Sequence, residues 1–145
     1  APAVAGSGQP NAAFERVVEA ALLMSGLGFA SGGLSIAHAM TRGLSGVAGP
    51  REAVHGWQVA YGLLMQLVLE RRDETFLTDF LAFYDMVGLP KSLAALGAPN
   101  PSDETLRQIA EPTLAAAHAR NFERQLTTDE MIAAMKALEA RTGKA

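Results

Sequence analysis

Two imidazoles stand where a metal ion could be held: His38, in the run GGLSIAHAMTRGL, and His55, in GPREAVHGWQ. Neutral imidazole is a good ligand for borderline divalent ions such as zinc or ferrous iron. The two are 17 residues apart, which is not a local ligand spacing such as i, i+4 on one helix. A shared ion would therefore have to be assembled by the fold, from a short helix and the start of the next one. The spacing leaves open a plainer reading, in which each is an ordinary half-buried or surface histidine. The third histidine, His118 in AAAHAR, stands alone and reads as a surface residue.

Other constellations are weaker. The segment GLSGVAG, residues 43–49, resembles a phosphate cradle only in its glycines. It follows no predicted strand and carries no Gly-Lys-Ser/Thr, so a loop between helices is the better reading. Asp79 and Asp85 lie six apart on one predicted helix and form no carboxylate pair. Glu123 and Glu130 sit among solvent-facing charges. The chain has no cysteine, which excludes disulfides, thiolate-ligated zinc and thiol nucleophiles.

The elements that must position the histidines read as helices. Residues 1–10 form a loose lead-in, and residues 11–145 a helical domain. Asn11 is a good N-cap for NAAFERVVEAALLMSGLG, whose Phe14, Val17, Val18, Ala21, Leu22 and Met24 recur at helical spacing. Gly26 and Gly28 are expected to stop that helix or mark a close approach. A short helix should run from about Gly33 to Arg42 and end at Gly43. Pro50 suits a first helical position, and residues 51–71 read as one long helix with Val54, Trp57, Tyr61, Leu64 and Val68 along a stripe. Trp57 and the methionines read as core. Residues 73–87 form another helix, stopped by Gly88 and Pro90. Ser102 caps a further one, which Pro112 should kink or restart. Thr127 and Glu130 make a capping box for the last. No alternating strand, repeat or low-complexity tract is present, so the fold class is all-α, a bundle of six to eight helices.

Composition narrows the partners. With 49% hydrophobic and 19% charged residues and a net charge of −3, the chain reads as a folded domain with its own core. No basic stripe is present, which argues against nucleic acid. No apolar run reaches the ~18 residues of a spanning helix, and residues 1–10 lack a signal-peptide pattern. No membrane and a cytoplasmic location are the expectations.

The stretch ERVVEAALLMSGLGFASGGLSIAHAMTRGLS followed by HGWQVAYGLLMQLVLE resembles the C-terminal domain of the iron-containing (type III) alcohol dehydrogenases, above all their glycerol dehydrogenases. Weaker likeness continues through MVGLPKSLAALG and TTDEMIAAM. The resemblance implies the C-terminal half of a dehydroquinate-synthase-like two-domain enzyme. In that family an N-terminal α/β domain binds NAD and the all-α domain supplies metal ligands. Carried over, it makes His38 and His55 ligands of Zn2+ or Fe2+, and Phe29 a residue lining the substrate pocket. It implies a small polyol or alcohol substrate and a homo-oligomer. The family's third ligand, an aspartate from a preceding segment, has no counterpart in this sequence.

The sequence departs from the family in places. Ala30 stands where relatives often carry glutamate. Arg42 stands where many iron-type members have a further histidine, four residues after the first ligand. An arginine there would suit an anionic substrate, or else a surface or inter-domain ion pair. No nucleotide loop or strand–helix alternation is present. The chain is therefore expected to be a half-enzyme, inactive alone, whose missing NAD-binding domain leaves an apolar face that drives association. Two alternatives remain: a dehydroquinate-synthase-like relative acting on a phosphorylated substrate, and a helical module without catalysis, which a wide separation of His38 and His55 would favour.

Overall fold

The computed structural model describes residues 8–142 of the 145, so most of the predicted lead-in lies outside the described residues. It divides into two compact units, one ending at Gly33 and one beginning at Leu34. Among the described residues there are six α-helices, two 3-10 turns and no strand. The all-α reading holds.

The first unit is one helix, α1 (Ala12–Ser31). Asn11 caps it as expected, its side-chain oxygen accepting from the N–H groups of Ala13 and Phe14 at 3.0 Å each. The stop expected at Gly26 and Gly28 does not occur, because both lie within the helix. A helical glycine costs only about 1 kcal/mol against alanine, too little to end a well-capped run. None of the residues of α1 is buried, and Leu22, Met24, Leu27 and Phe29 are all exposed.

The second unit holds α2 (Ile36–Leu44), α3 (His55–Leu69), α4 (Glu74–Val87), α5 (Asp103–Ala115) and α6 (Thr128–Thr142), with 3-10 turns at Pro50–Glu52 and Ala117–Asn121. Helices α2 and α3 pack most extensively, α2 also lies on α5, and α6 closes against α3 and α5. The core comes from all of these: Met40, Leu44, Tyr61, Leu64, Met65, Leu106, Ile109, Met131, Met135 and Leu138 are nearly or fully buried. Each such side chain contributes about 1.5–3 kcal/mol by leaving water. Tyr84 is also buried, donating its hydroxyl to the Ala60 carbonyl at 2.9 Å, and burial pushes its phenol up to about 12.

Several expected boundaries shift. Helix α2 does not end at Gly43 but runs through it. A side chain there would meet Thr113 Oγ1 at 2.5 Å and the Ile109 backbone, so this glycine is a packing device for the α2–α5 contact. Residues 51–71 are not one helix: a 3-10 turn from Pro50 gives way to extended Val54, and α3 starts at His55. Trp57, Met24 and Met86 are exposed rather than core, at 44%, 69% and 70%. Helical periodicity marks an apolar face but does not say whether anything covers it. Pro112 neither breaks nor restarts its helix. It lies inside α5, which ends three residues later at Ala115. Ser102 and the Thr127–Glu130 capping box act as expected, and Asp73, read as the first residue of its helix, is its N-cap.

Candidate metal centre

The two histidines meet through the α2–α3 contact. His38 sits in the first turn of α2 and His55 is the first residue of α3. The backbone of α2 can come this close because α3 carries Gly62 at the crossing. A Cβ there would lie 3.0 Å from both Ala37 C and Ala37 Cα, and closer still to Ala37 O. The residue facing that glycine is the chain neighbour of His38.

Hydrogen bonds fix the remaining freedom. Ser35, at the N-cap of α2, makes no capping bond. Gln66 of α3 takes over, its side-chain carbonyl accepting from the Ala37 N–H at 3.1 Å. Its own amide donates to Glu70 at 2.9 Å, which sets its orientation. Thr41 donates to the His38 carbonyl at 2.7 Å. On the other side, buried Gln58 donates to the Pro50 carbonyl at 2.8 Å, so the turn entering α3 is pinned just before His55. Asn121, on the second 3-10 turn, donates to the Leu34 carbonyl at 2.8 Å. That ties the turn carrying His118 to the entry of α2.

The result brings His38 and His55 to 6.0 Å between ring centres, with the rings tilted by 55°. With Zn–N bonds of about 2.0–2.1 Å, two imidazoles on one ion have ring centres about 5–6 Å apart. The separation that would have excluded a shared ion is absent. His38 is partly buried and His55 exposed. Burial holds the His38 imidazole below its ordinary pKa, and the neighbouring His55 and His118 lower it further. All three effects favour the neutral form, which is the form that binds metal. The donor set and the spacing thus fit a divalent ion.

Phe29 lies in the first unit, on α1, and is 65% exposed. Arg42 is exposed in the last turn of α2. His118 is exposed, as the sequence suggested, but it is not isolated, since its charge registers on His38. No spacing rule connects positions 38 and 118, so periodicity had no means of finding that relation. Gln58 and Gln66 were missed for a similar reason: a buried glutamine inside an apolar helix is the one available signal, and it marks a polar partner without naming it.

Two cavities lie away from the histidine pair. One of about 590 Å³ is bordered by Leu114, Arg120, Phe122 and Arg124, and another of about 590 Å³ by Ala94, Asn100, Lys136 and Glu139. Beside the second, the half-buried Glu139 accepts from the Leu93 N–H at 2.9 Å and from the Tyr61 hydroxyl at 3.1 Å. Burial raises its carboxyl above the ordinary range, against the opposing pull of these two donors. Near the N-terminus of α3, exposed Trp57 borders a smaller cleft with Tyr84, Gly88 and Pro90.

No family model matches the chain. Among curated relatives, glycerol dehydrogenase 1 of Schizosaccharomyces pombe is 39% identical over 134 residues, covering 91% of this chain and 30% of that protein. Glycolaldehyde reductase of Halobacterium salinarum is 41% identical over 97 residues, covering 67% of this chain and 27% of that protein. The crystal structure of a probable glycerol dehydrogenase from Sinorhizobium meliloti superposes with a TM-score of 0.87 at 31% identity, covering 97% of this chain and 40% of that one. The chain thus spans about a third of the length of the curated relatives it matches.

Proposed function

We propose that this chain, which belongs to the glycerol dehydrogenase family of oxidoreductases and matches its C-terminal part, is the metal-binding side of an NAD-dependent polyol or alcohol dehydrogenase. The observation that carries the reading is the 6.0 Å approach of His38 and His55 across the α2–α3 contact. The two imidazoles would hold Zn2+ or Fe2+. When bound, such an ion supplies Lewis acidity that stabilises an alkoxide while hydride leaves for nicotinamide.

The residues of this chain prepare that site. Burial of His38 favours its neutral ring, and Gly62 and Gln66 set where α2 begins against α3. Phe29 would offer an apolar wall to the carbon skeleton of a small polyol. The nucleotide and a further oxygen ligand would come from the part of the relatives that this chain does not match. By itself the chain should bind metal weakly and turn over no substrate. Its exposed α1 face and the Val54, Trp57, Phe83 and Met86 side chains would be covered by a domain like the part of the relatives that this chain does not match, or by further copies in a homo-oligomer. No single helix among the described residues is long and apolar enough to cross a membrane, and a cytoplasmic enzyme is the location proposed.

Zinc titration by calorimetry tests the reading, with the chain and its His38→Ala, His55→Ala double variant compared. Binding by the first alone supports it. Equal binding by both removes it. A glycerol- and NAD-dependent turnover assay checks the inactivity, and activity from these 145 residues alone would refute that part.

A further inference from the structure

We propose that the cavity beside the second 3-10 turn binds a small monocarboxylate with an apolar body, its anionic head taken by Arg120 and Arg124. The cavity holds about 590 Å³, within the roughly 300–1,000 Å³ of small-molecule sites. Leu114, Phe122 and Leu126 supply an apolar wall for a carbon skeleton. No carboxylate lines it, although acidic residues outnumber basic ones by 15 to 12 in the chain. It shares no lining residue with the histidine pair, so no metal is needed for binding there.

Local bonding places the two guanidinium groups. The Phe122 N–H donates to the Ala119 carbonyl at 3.2 Å, closing the chain between the two arginines. Asn121 anchors the same turn to the Leu34 carbonyl at 2.8 Å. Phe122 is buried, and the Arg124 guanidinium carbon lies 6.0 Å from its ring centre, within reach of a cation–π contact. Glu130 also holds Arg124, accepting from Nη1 at 2.7 Å, and is itself fixed by the Thr127 N–H at 2.8 Å. The remaining Arg124 bond, to the Gln125 carbonyl at 3.3 Å, uses Nη1 again. Its Nε and Nη2 are left as an open fork, the geometry that meets a carboxylate with two parallel bonds. Lys91, Lys136 and Arg141, which line other cavities, are each paired with a carboxylate. Arg120 makes no hydrogen bond or ion pair among the described residues. Charge then selects the ligand. Glu130 offsets one of the two positive charges and leaves the other uncompensated. A monocarboxylate matches that balance, whereas a phosphate monoester carries roughly 1.5–2 negative charges at neutral pH. Two arginines without a basic stripe suit one small anion and not a polyanion.

The test titrates the metal-free, isotope-labelled 145-residue chain with benzoate, benzamide and phenyl phosphate, which share one apolar ring, and follows the backbone amide signals by NMR. Benzoate should shift the amides of residues 119–126 saturably. Losing a hydrogen bond to a charged group weakens binding by about tenfold to a hundredfold, so benzamide should bind at least about tenfold more weakly. Phenyl phosphate should bind no more tightly than benzoate. Arg120→Gln should weaken benzoate binding by about tenfold or more. It removes an exposed side chain without bonds, so a thermal melt should match the parent. Arg107→Gln, on α5 and outside the cavity lining, should leave benzoate binding unchanged. A parent chain without saturable shifts at residues 119–126 overturns the proposal, and so does an Arg120→Gln chain that binds benzoate like the parent. Equal binding of benzamide and benzoate would mean that the cavity reads the ring and not the charge, which also overturns it. Phenyl phosphate binding more tightly than benzoate overturns the choice of a monocarboxylate.

Discussion

Replacing Gly62 with alanine should both destabilise the second unit and loosen the histidine pair. A Cβ at Gly62 would stand 3.0 Å from Ala37 C and Cα, and nearer to its carbonyl oxygen. Those are backbone atoms, so no rotamer change relieves the contact, and α2 must move away from α3. Overpacking of this kind costs typically about 1–3 kcal/mol. Alanine returns about 1 kcal/mol through helix propensity. With the overpacking at the upper end of its range, because backbone cannot step aside, the net loss is about 2 kcal/mol. For a chain of this length that lowers Tm by roughly 4–8 °C. The movement acts at Ala37, beside His38, so Zn2+ affinity should also fall, by about tenfold for a ligand displaced from its position. Gly56 is the internal control: it lies on the same helix with no atom within 4 Å of a built Cβ. Gly56→Ala should leave affinity unchanged and raise Tm, by up to about 2–4 °C if the whole propensity gain is realised. Differential scanning calorimetry and zinc titration read both quantities. A Gly62→Ala variant with parental Tm and parental Zn2+ affinity would refute the claim that this glycine sets the α2–α3 approach.

Gln66→Ala removes the partner of the Ala37 N–H and should cost about 1–2 kcal/mol, as loss of an N-cap does, with a fall in Zn2+ affinity. A melt showing no loss would mean that water replaces the glutamine. Glu139 makes stability depend on pH. Its folded pKa is raised, so its contribution is present in full below the unfolded value of 4.5 and is lost as pH rises through the raised one. Glu139→Gln keeps an acceptor for Leu93 and Tyr61 without a charge, and its Tm advantage over the parent should grow between acid and neutral pH. A constant difference across that range would contradict the burial argument. Trp57 is exposed beside the Tyr84–Pro90 cleft, and Trp57→Glu should shift light scattering towards smaller species. An unchanged mass would show that this surface takes no part in association.

The sequence by itself determined the fold class and most of the helix starts. Asn11, Asp73, Ser102 and the Thr127–Glu130 pair are caps whose bonds close within three residues, and that local chemistry is written in consecutive residue types. Resemblance supplied the pairing of His38 with His55, which spacing alone left open. Tertiary structure decided the rest. Gly43 looks like a helix end in a linear reading, yet it is helical, and both it and Gly62 face a neighbouring backbone that admits no side chain. Trp57 and Met86 look like core, yet they are exposed, because periodicity records an apolar face and not what covers it. The bond from Asn121 to the Leu34 carbonyl ties residues 87 positions apart. A contact between residues far apart in sequence has no local signature, since its energy depends on distances that the chain acquires only once packed.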